Sequence, residues 1–293
     1  MTNVSLLKKT LVVLILVLIA AMTYLSRDIA LTLNTGAGFA AKNLCSGYHN
    51  GGYEFAALKQ QALMPVNPLF QFISYDYDAE KKRVTTSVAG MFKRQAQFRT
   101  GIGCTLLGLG QTSLDGAVVA SDLPSPSTTL PWPEGLGDPV KPSGIDHSQL
   151  DTVIEAAFAE PYENSKRQTK AVLVVHRSEL IAERYAAPLD KEVPALSWSM
   201  AKSVTNLMVG SLVNRNRLAV SDRVPFKLWQ AEDDPRAQIT VDNMLRMSTG
   251  LDFNETYGIN TDVTYMLSNV TSAAEFAMDK PLAFPVDSHW AYA

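Results

Sequence analysis

The sequence predicts an α+β fold built from antiparallel strand pairs and amphipathic helices. Two segments, 70–93 and 171–185, each hold two runs of β-branched and aromatic residues joined by a short polar turn. Such runs at such close spacing are typical of antiparallel hairpins. Apolar residues at helical spacing follow Asp146 and Ser199, which predicts helices that pack on the strands rather than alternate with them.

The N-terminal segment predicts an export signal or a membrane anchor. Lys8 and Lys9 precede the uncharged run 10–25, and Arg27 and Asp28 follow it. The run is shorter than the roughly 20 residues of a membrane span, longer than the ~7–15 of a signal-peptide core, and lacks a clear cleavage site. We expect an uncleaved single-pass anchor over residues 1–30 in the inner (cytoplasmic) membrane, with the bulk of the chain periplasmic or extracellular. A cleaved signal and a buried terminal helix are the alternatives.

Residues 31–110 predict a small exported leader domain. The hairpin 70–78 and 83–93, turned at Glu80-Lys81-Lys82, lies between the two cysteines of the chain, Cys45 and Cys104. A disulfide between them fits an oxidising compartment, and would stabilise the segment by about 4 kcal/mol in the chain-entropy model. Two free buried thiols are the alternative.

Residues 111–145 predict a linker, because six prolines occur there among serines, threonines and glycines. An extended segment that wraps the next domain would have the same composition. From residue 146 to 293 the pattern changes again. Asp146 is an expected N-cap, strands 171–176 and 180–185 form a hairpin, a helix runs from Ser199 to about 216, and segment 240–248 is a helix with Gly250 just past its end.

The spacing of Ser199 and Lys202 predicts the chemistry. Residues i and i+3 share one helix face, so the amine can take the proton from the hydroxyl. The free N–H groups at a helix start favour the anion that forms on attack at a carbonyl. Ser5 and Lys8 share the spacing but lie in a polar leader where nothing desolvates the lysine. Around Lys202 we expect burial by apolar residues at helical spacing. These residues are Val204, Leu207, Met208 and Leu212. The plain alternative is that Ser199 is only an N-cap.

Several ordered segments give the sequence a family resemblance. They are 171–176, 180–185, Trp198-Ser-Met-Ala-Lys-Ser203, 245–251 and Trp290-Ala-Tyr-Ala293. Together they resemble the serine β-lactamase-related hydrolases (class C and penicillin-binding-protein-like), most closely the 6-aminohexanoate-dimer hydrolase-like proteins. The resemblance implies a β-lactamase/transpeptidase-like fold, an acylated nucleophile at Ser199 and its partner at Lys202.

The resemblance also implies that Tyr292 relays a proton between nucleophile and leaving group, and that Glu255 and Tyr257 lie near the cleft. Ala293 departs from the family pattern, which commonly has serine there, and a Trp-x-Tyr pair is also typical of a packed aromatic. In the family, three strands follow the tyrosine motif, and one of them supplies an oxyanion-hole N–H. The chain stops before them, so we expect a C-terminally truncated fold with little activity and an exposed sheet edge.

The sequence lacks the motifs of other hydrolase classes, of metal sites and of nucleic-acid binding. No Gly-x-Ser-x-Gly motif is present, and the four histidines show no ligand spacing, so we expect no metal and no cofactor. Net charge is −3 with Lys and Arg dispersed, which argues against nucleic acid as a partner. The favoured function is a membrane-anchored exported serine hydrolase acting on a small or peptide-like amide, ester, β-lactam or peptidoglycan-like acyl substrate. A non-catalytic binding or structural module derived from the penicillin-recognising fold is the alternative.

Overall fold

A computed structural model of the chain describes residues 2–111, 114, 126–162, 166–231, 233–258 and 261–293, with side chains from Ser26 onward. The helices are α1 (Thr2–His49), α2 (Phe55–Leu58), α3 (His147–Phe158), α4 (Ala201–Asn214), α5 (Val241–Leu245), α6 (Asp262–Asn269) and α7 (Ala273–Met278). The strands are β1 (Ile73–Asp78), β2 (Arg83–Val88), β3 (Met91–Arg99), β4 (Gly103–Leu106), β5 (Ala171–His176) and β6 (Glu179–Tyr185).

The leader region contains a four-stranded antiparallel sheet in the order β1-β2-β3-β4. The predicted hairpin is confirmed, with Ile73 opposite Val88 and Asp78 opposite Arg83. The segment 83–93 was predicted as one strand, and this was wrong. Ala89 and Gly90 have φ of +50° and +74° and turn the chain between β2 and β3. Strand β4 was not predicted.

Helix α1 is continuous and crosses the expected domain boundary at residue 30. Its later turns lie on the sheet, and Ala37, Ala40 and Ala41 are fully buried there. Cys45 of α1 and Cys104 of β4 form a disulfide, with Cα atoms 6.0 Å apart. Leu44 and Val84 are fully buried in this core, and burial of each stabilises the fold by roughly 1.5–3 kcal/mol.

The membrane anchor stays a prediction. In the part of the chain whose side chains are described, no helix is both long enough and apolar enough to cross a membrane. The side chains of the uncharged run 10–25 lie outside that part.

The leader region contacts the C-terminal region through a buried polar network. Asn269 at the end of α6 donates to the Thr35 hydroxyl at 2.7 Å and accepts from the Arg94 guanidinium at 2.8 Å. Arg94 also donates to the carbonyl of Leu107 at 3.0 Å. Burial lowers the pKa of Arg94. The contact is close, because a Cβ on Gly38 would lie 2.6 Å from the carbonyl oxygen of Ser268.

Residues 126–145 follow the C-terminal region instead of bridging open space. The Val140 amide donates to the Leu180 carbonyl of β6 at 2.9 Å, and Lys191 donates to the Leu136 carbonyl at 2.8 Å. For these residues the wrapping alternative is observed. Residues 112, 113 and 115–125 of the expected linker lie outside the described residues.

The C-terminal region holds the predicted elements with changed ends. The Asp146 carboxylate caps α3 by accepting from the Gln149 amide at 2.9 Å, and β5 and β6 pair antiparallel from Ala171 opposite Tyr185. Helix α5 ends at Leu245, earlier than expected. A second small core surrounds the buried Trp229, whose indole N–H donates to the Met278 carbonyl at 2.8 Å.

Candidate active site

Ser199 and Lys202 lie together at the start of α4. Ser199 is the middle residue of a single 3₁₀ turn, Trp198–Met200, which leads directly into the helix. The Lys202 Nζ donates to the Ser199 Oγ at 3.4 Å. This hydrogen bond is long, as catalytic hydrogen bonds often are before substrate binds. The two predicted residues, Ser199 and Lys202, are therefore within hydrogen-bond distance of each other.

The backbone is strained directly before the serine. Trp198 has φ of +44°, in the left-handed region that a bulky residue rarely adopts. Such strain is concentrated at functional sites, where the surrounding structure imposes it. The turn presents the Ser199 side chain at the surface, ahead of the first helical N–H groups of α4.

Tyr292 joins the pair although it lies 90 residues further along the chain. The Lys202 Nζ lies 4.9 Å from the centroid of the Tyr292 ring. Hydrogen bonding to Ser199, then to Lys202, lowers the pKa of the Tyr292 phenol, and the charge of Lys202 adds to this effect. The negative charge of Glu255 opposes it. A phenol in this setting can accept the proton that Ser199 must lose.

The position of Tyr292 is set by contacts with the segment after α5. The Ala291 amide donates to the Met247 carbonyl at 3.1 Å, and the Asp287 amide donates to the Ser248 carbonyl at 2.9 Å. The buried Ser248 hydroxyl donates to the Asp287 carboxylate at 2.8 Å, and Arg246 donates to the same carboxylate oxygen at 2.9 Å. These hydrogen bonds, led by that of Ser248, lower the pKa of Asp287.

Gly250 allows the two segments to approach. The Gly250 backbone lies very close to the backbone of Phe284. A Cβ on Gly250 would collide with the Phe284 carbonyl oxygen and would lie 3.1 Å from the Pro285 carbonyl oxygen. The φ of Gly250 is +76°. The Ala283 and Phe284 amides both donate to the Gly250 carbonyl, at 2.9 and 3.2 Å. The expected role of Gly250 as a helix-end residue was wrong, since its conformation serves this approach.

The sequence analysis did not single out Ser248, Arg246 or Asp287. Arg246, Ser248 and Gly250 lie inside the segment 245–251 that carries the family resemblance, and that was the available signal. Asp287 lies outside every motif.

The predicted burial around Lys202 was wrong. The four apolar residues of α4 that we expected to cover this face, Val204, Leu207, Met208 and Leu212, are 45% to 72% exposed. No buried residue occurs in α4 at all. The helix has the apolar spacing of a packed helix, but the described residues place no layer over it. Lys202 is therefore half-exposed, and its contacts at this site are with Ser199 and Tyr292.

Glu255 lies half-buried in the loop before α6. This loop is tied to the helix start, because the Asp262 carboxylate accepts from the Asn254 amide at 2.9 Å and contacts Lys280 at 2.5 Å. Tyr257 is 62% exposed on the same loop. The placement of Glu255 explains its effect on Tyr292.

Among the described residues, no group of three or more His, Cys, Asp or Glu side chains could hold a metal ion. One concave surface lies along α3, lined by Asp151, Glu155 and Phe158, and it contains none of the three site residues. The site is thus an open surface at the start of α4 that joins a hydroxyl, an amine and a phenol.

The comparison with known families supports this chemistry. Residues 154–293 match the family model described as Beta-lactamase. The match covers just under half of the chain and contains Ser199, Lys202 and Tyr292. Members of the beta-lactamase family are serine hydrolases that work through an acyl-enzyme. Comparison with curated proteins gives no match. The beta-lactamase segment begins within α3 and includes β5, β6 and every later element.

Proposed function

We propose that the protein is a serine hydrolase that forms an acyl-enzyme at Ser199. The observation that carries the proposal is the convergence of two groups, the Lys202 amine and the Tyr292 phenol, on the Ser199 Oγ. Lys202 donates to the Ser199 Oγ, and Ser199 and Lys202 together favour the phenolate of Tyr292. An N-cap serine alone would need neither the amine nor the phenol.

The geometry supports the following steps. The Ser199 Oγ attacks the substrate carbonyl while its proton passes to the Tyr292 oxygen. The Lys202 ammonium, 4.9 Å from the Tyr292 ring centroid, favours the phenolate before transfer. Tyr292 then gives the proton to the leaving group, which departs and leaves an ester on Ser199. A water molecule then attacks this ester and gives a proton to the Tyr292 oxygen. The bond between the acyl carbon and the Ser199 Oγ breaks, Tyr292 passes the proton to the Ser199 Oγ, and the carboxylic acid product is released.

The substrate class follows from the reaction and from the openness of the site. We infer a small or peptide-like acyl compound, such as an amide, ester, β-lactam or peptidoglycan-like compound. Resemblance to the 6-aminohexanoate-dimer hydrolase-like proteins favours an amide among these.

We also propose that the chain is anchored in a membrane by residues 1–30, with the remainder exported. Two observations support this. The run 10–25 is uncharged and follows two lysines, and Cys45 is paired with Cys104, as is usual for proteins of oxidising compartments.

Labelling with a fluorophosphonate probe tests the hydrolase proposal. The full chain should carry one adduct on Ser199, mapped by mass spectrometry, and Ser199→Ala should carry none. Tyr292→Phe should label about 10²–10⁴ times more slowly, since it removes the acid-base group. Lys202→Ala should also slow labelling. Ser203→Ala is the matched control, because this exposed serine lies in the same helix and should not affect the rate. Labelling of both Lys202→Ala and Tyr292→Phe at the wild-type rate would contradict the proposal.

A further inference from the structure

The two ends of the leader sheet differ in polarity. At one end, β1 turns into β2 through Glu80, Lys81 and Lys82, as expected for a turn in water. At the other end, β2 turns into β3 through Val88-Ala89-Gly90-Met91-Phe92, without a charge, and Met91 is 60% exposed. Exposed apolar side chains do not stabilise a hairpin turn in water, so the uncharged turn indicates an environment less polar than water.

A second segment adds exposed apolar side chains at the same end. The 3₁₀ turn Pro68–Phe72 leads into β1, whose first residue, Ile73, pairs with Val88. Phe70 is buried against α1, with its ring 5.6 Å from that of Phe39. Its neighbours point away from the core, and Val66, Leu69 and Phe72 are 62%, 65% and 63% exposed. The chain thus buries one aromatic ring and leaves three apolar side chains uncovered around it.

The position of this end along α1 can be worked out from the contacts. The Thr86 hydroxyl donates to the Ala37 carbonyl at 2.7 Å, and Arg94, opposite Thr86, donates to that of Asn34 at 3.4 Å. Met91 lies three residues before Arg94, about 10 Å along the strand at ~3.3 Å per residue. The same distance is about seven residues of helix at ~1.5 Å each. Met91 is therefore level with about Ile29, which is itself 49% exposed.

Ile29, and with it the turn at Met91, lies only about one helical turn after Leu25, the last residue of the uncharged run. A layer of headgroups roughly 5–8 Å thick borders each side of the hydrocarbon core. If residues 10–25 lie in that core, the turn at Met91 falls within or beside the headgroup layer. Phe72 lies close to this level, because it directly precedes Ile73, which pairs with Val88. Apolar side chains are more stable in this layer than in water.

The charges near this end agree with such a partner. No acidic residue occurs in 55–75 or in 81–114, and Asp28, which is next to Ile29, is preceded by Arg27. Lys59 is held at this end, because its Nζ donates to the carbonyls of Gln71 and Ile73 at 2.9 and 3.0 Å. Lys93 is exposed two residues after Met91. Cations beside an apolar rim match the surface of a bilayer with anionic headgroups.

We propose that this end of the leader domain is a second membrane contact. We call it the apolar rim, defined as Ile29, Phe72 and Met91, and its partner is the interfacial layer of a lipid bilayer. The rim holds the leader domain down on the membrane. The inference rests on the membrane part of the proposed function, and does not depend on the chemistry at Ser199.

Fluorophores on single added cysteines test the rim. Both native cysteines are in the disulfide, so Met91→Cys, Phe72→Cys and Ile102→Cys can each be labelled selectively. Ile102 is the control, because it is also an exposed apolar residue of a turn, 49% exposed against 60% for Met91, but lies in the β3–β4 turn at the far end of the sheet. The full chain is reconstituted in vesicles of phosphatidylcholine and phosphatidylglycerol, and vesicle binding is checked by flotation.

We expect a blue-shifted emission and quenching by headgroup-labelled spin lipids at positions 91 and 72, and quenching by aqueous iodide at position 102. If the chain floats with vesicles but all three positions behave alike in iodide, the rim proposal is wrong and the anchor stands. If the chain does not float with vesicles, both membrane proposals are wrong. Fluorophosphonate labelling of Ser199, measured on the same samples, reports on the hydrolase proposal separately.

Discussion

Gly250→Ala should displace Tyr292 from the site without touching any of the three site residues. A Cβ at this position would collide with the Phe284 carbonyl oxygen, and neither partner is a flexible side chain that could move aside. Alanine at φ of +76° costs about 1–2 kcal/mol, and overpacking of a close contact costs about 1–3 kcal/mol. The two costs together should lower the free energy of unfolding by roughly 2–5 kcal/mol. If the segment 281–293 moves away to relieve the collision, the loss of stability is smaller and Tyr292 is displaced.

Two assays separate these results. Urea unfolding measures the loss of stability, and the rate of fluorophosphonate labelling at low urea measures the displacement of Tyr292. Gly210→Ala is the matched control, because Gly210 lies in α4 with nothing within 4 Å of its Cβ position. That change should stabilise the helix by about 0.5–1 kcal/mol. Wild-type stability and wild-type labelling of Gly250→Ala would refute the reasoning.

Three further changes have defined outcomes. The rate of fluorophosphonate labelling should rise with pH as the Tyr292 phenol loses its proton, with a midpoint below the ordinary phenol pKa. Glu255→Gln should lower this midpoint further, because it removes the negative charge that opposes ionisation of Tyr292. Asn269→Ala should cost about 1–3 kcal/mol in urea unfolding, since it leaves buried hydrogen-bonding groups without a partner. Replacing Cys45 and Cys104 with serine should cost about 4 kcal/mol in the same assay, since the disulfide closes a loop with a sequence separation of 59.

The changes at Glu255 and Asn269 each have a control and a contradicting result. Glu54→Gln, on the exposed surface of the leader region, should leave the pH–rate profile where it is. An unchanged profile in Glu255→Gln would remove Glu255 from the site. Asn206→Ala, on the exposed face of α4, should change stability by less than about 0.5 kcal/mol. If Asn269→Ala behaves like Asn206→Ala, the network does not hold the two regions together.

The sequence predicted the elements whose signals are local. The hairpin of β5 and β6 follows from β-branched residues on either side of a short polar turn at Arg177 and Ser178. Asp146 caps α3 because its carboxylate can reach the Gln149 amide in the first turn of the helix. Ser199 and Lys202 come together because i and i+3 positions of one helix turn are neighbours.

The parts that were wrong or unforeseen depend on distant contacts. Helix α1 continues through Gly36 and Gly38, where propensity alone would weaken a helix. At position 38 the contact with Ser268 requires glycine, because a Cβ there would lie 2.6 Å from the Ser268 carbonyl oxygen. The placement of Tyr292 depends on Ser248 and Asp287, which only the folded chain brings together. The expected burial of α4 was inferred from its spacing, and spacing shows which residues could be covered but not whether anything covers them.

The unbroken course of α1 has a mechanical consequence. A flexible tether would let the rest of the chain rotate freely relative to residues 10–25, within a radius set by the tether length. A helix that runs from Thr2 to His49 and is cross-linked to the sheet at Cys45 instead transmits tilt and torque. Whatever fixes the orientation of residues 10–25 therefore also fixes that of the leader sheet, and through the contacts of Asn269 with Thr35 and Arg94 it bears on the orientation of the C-terminal region.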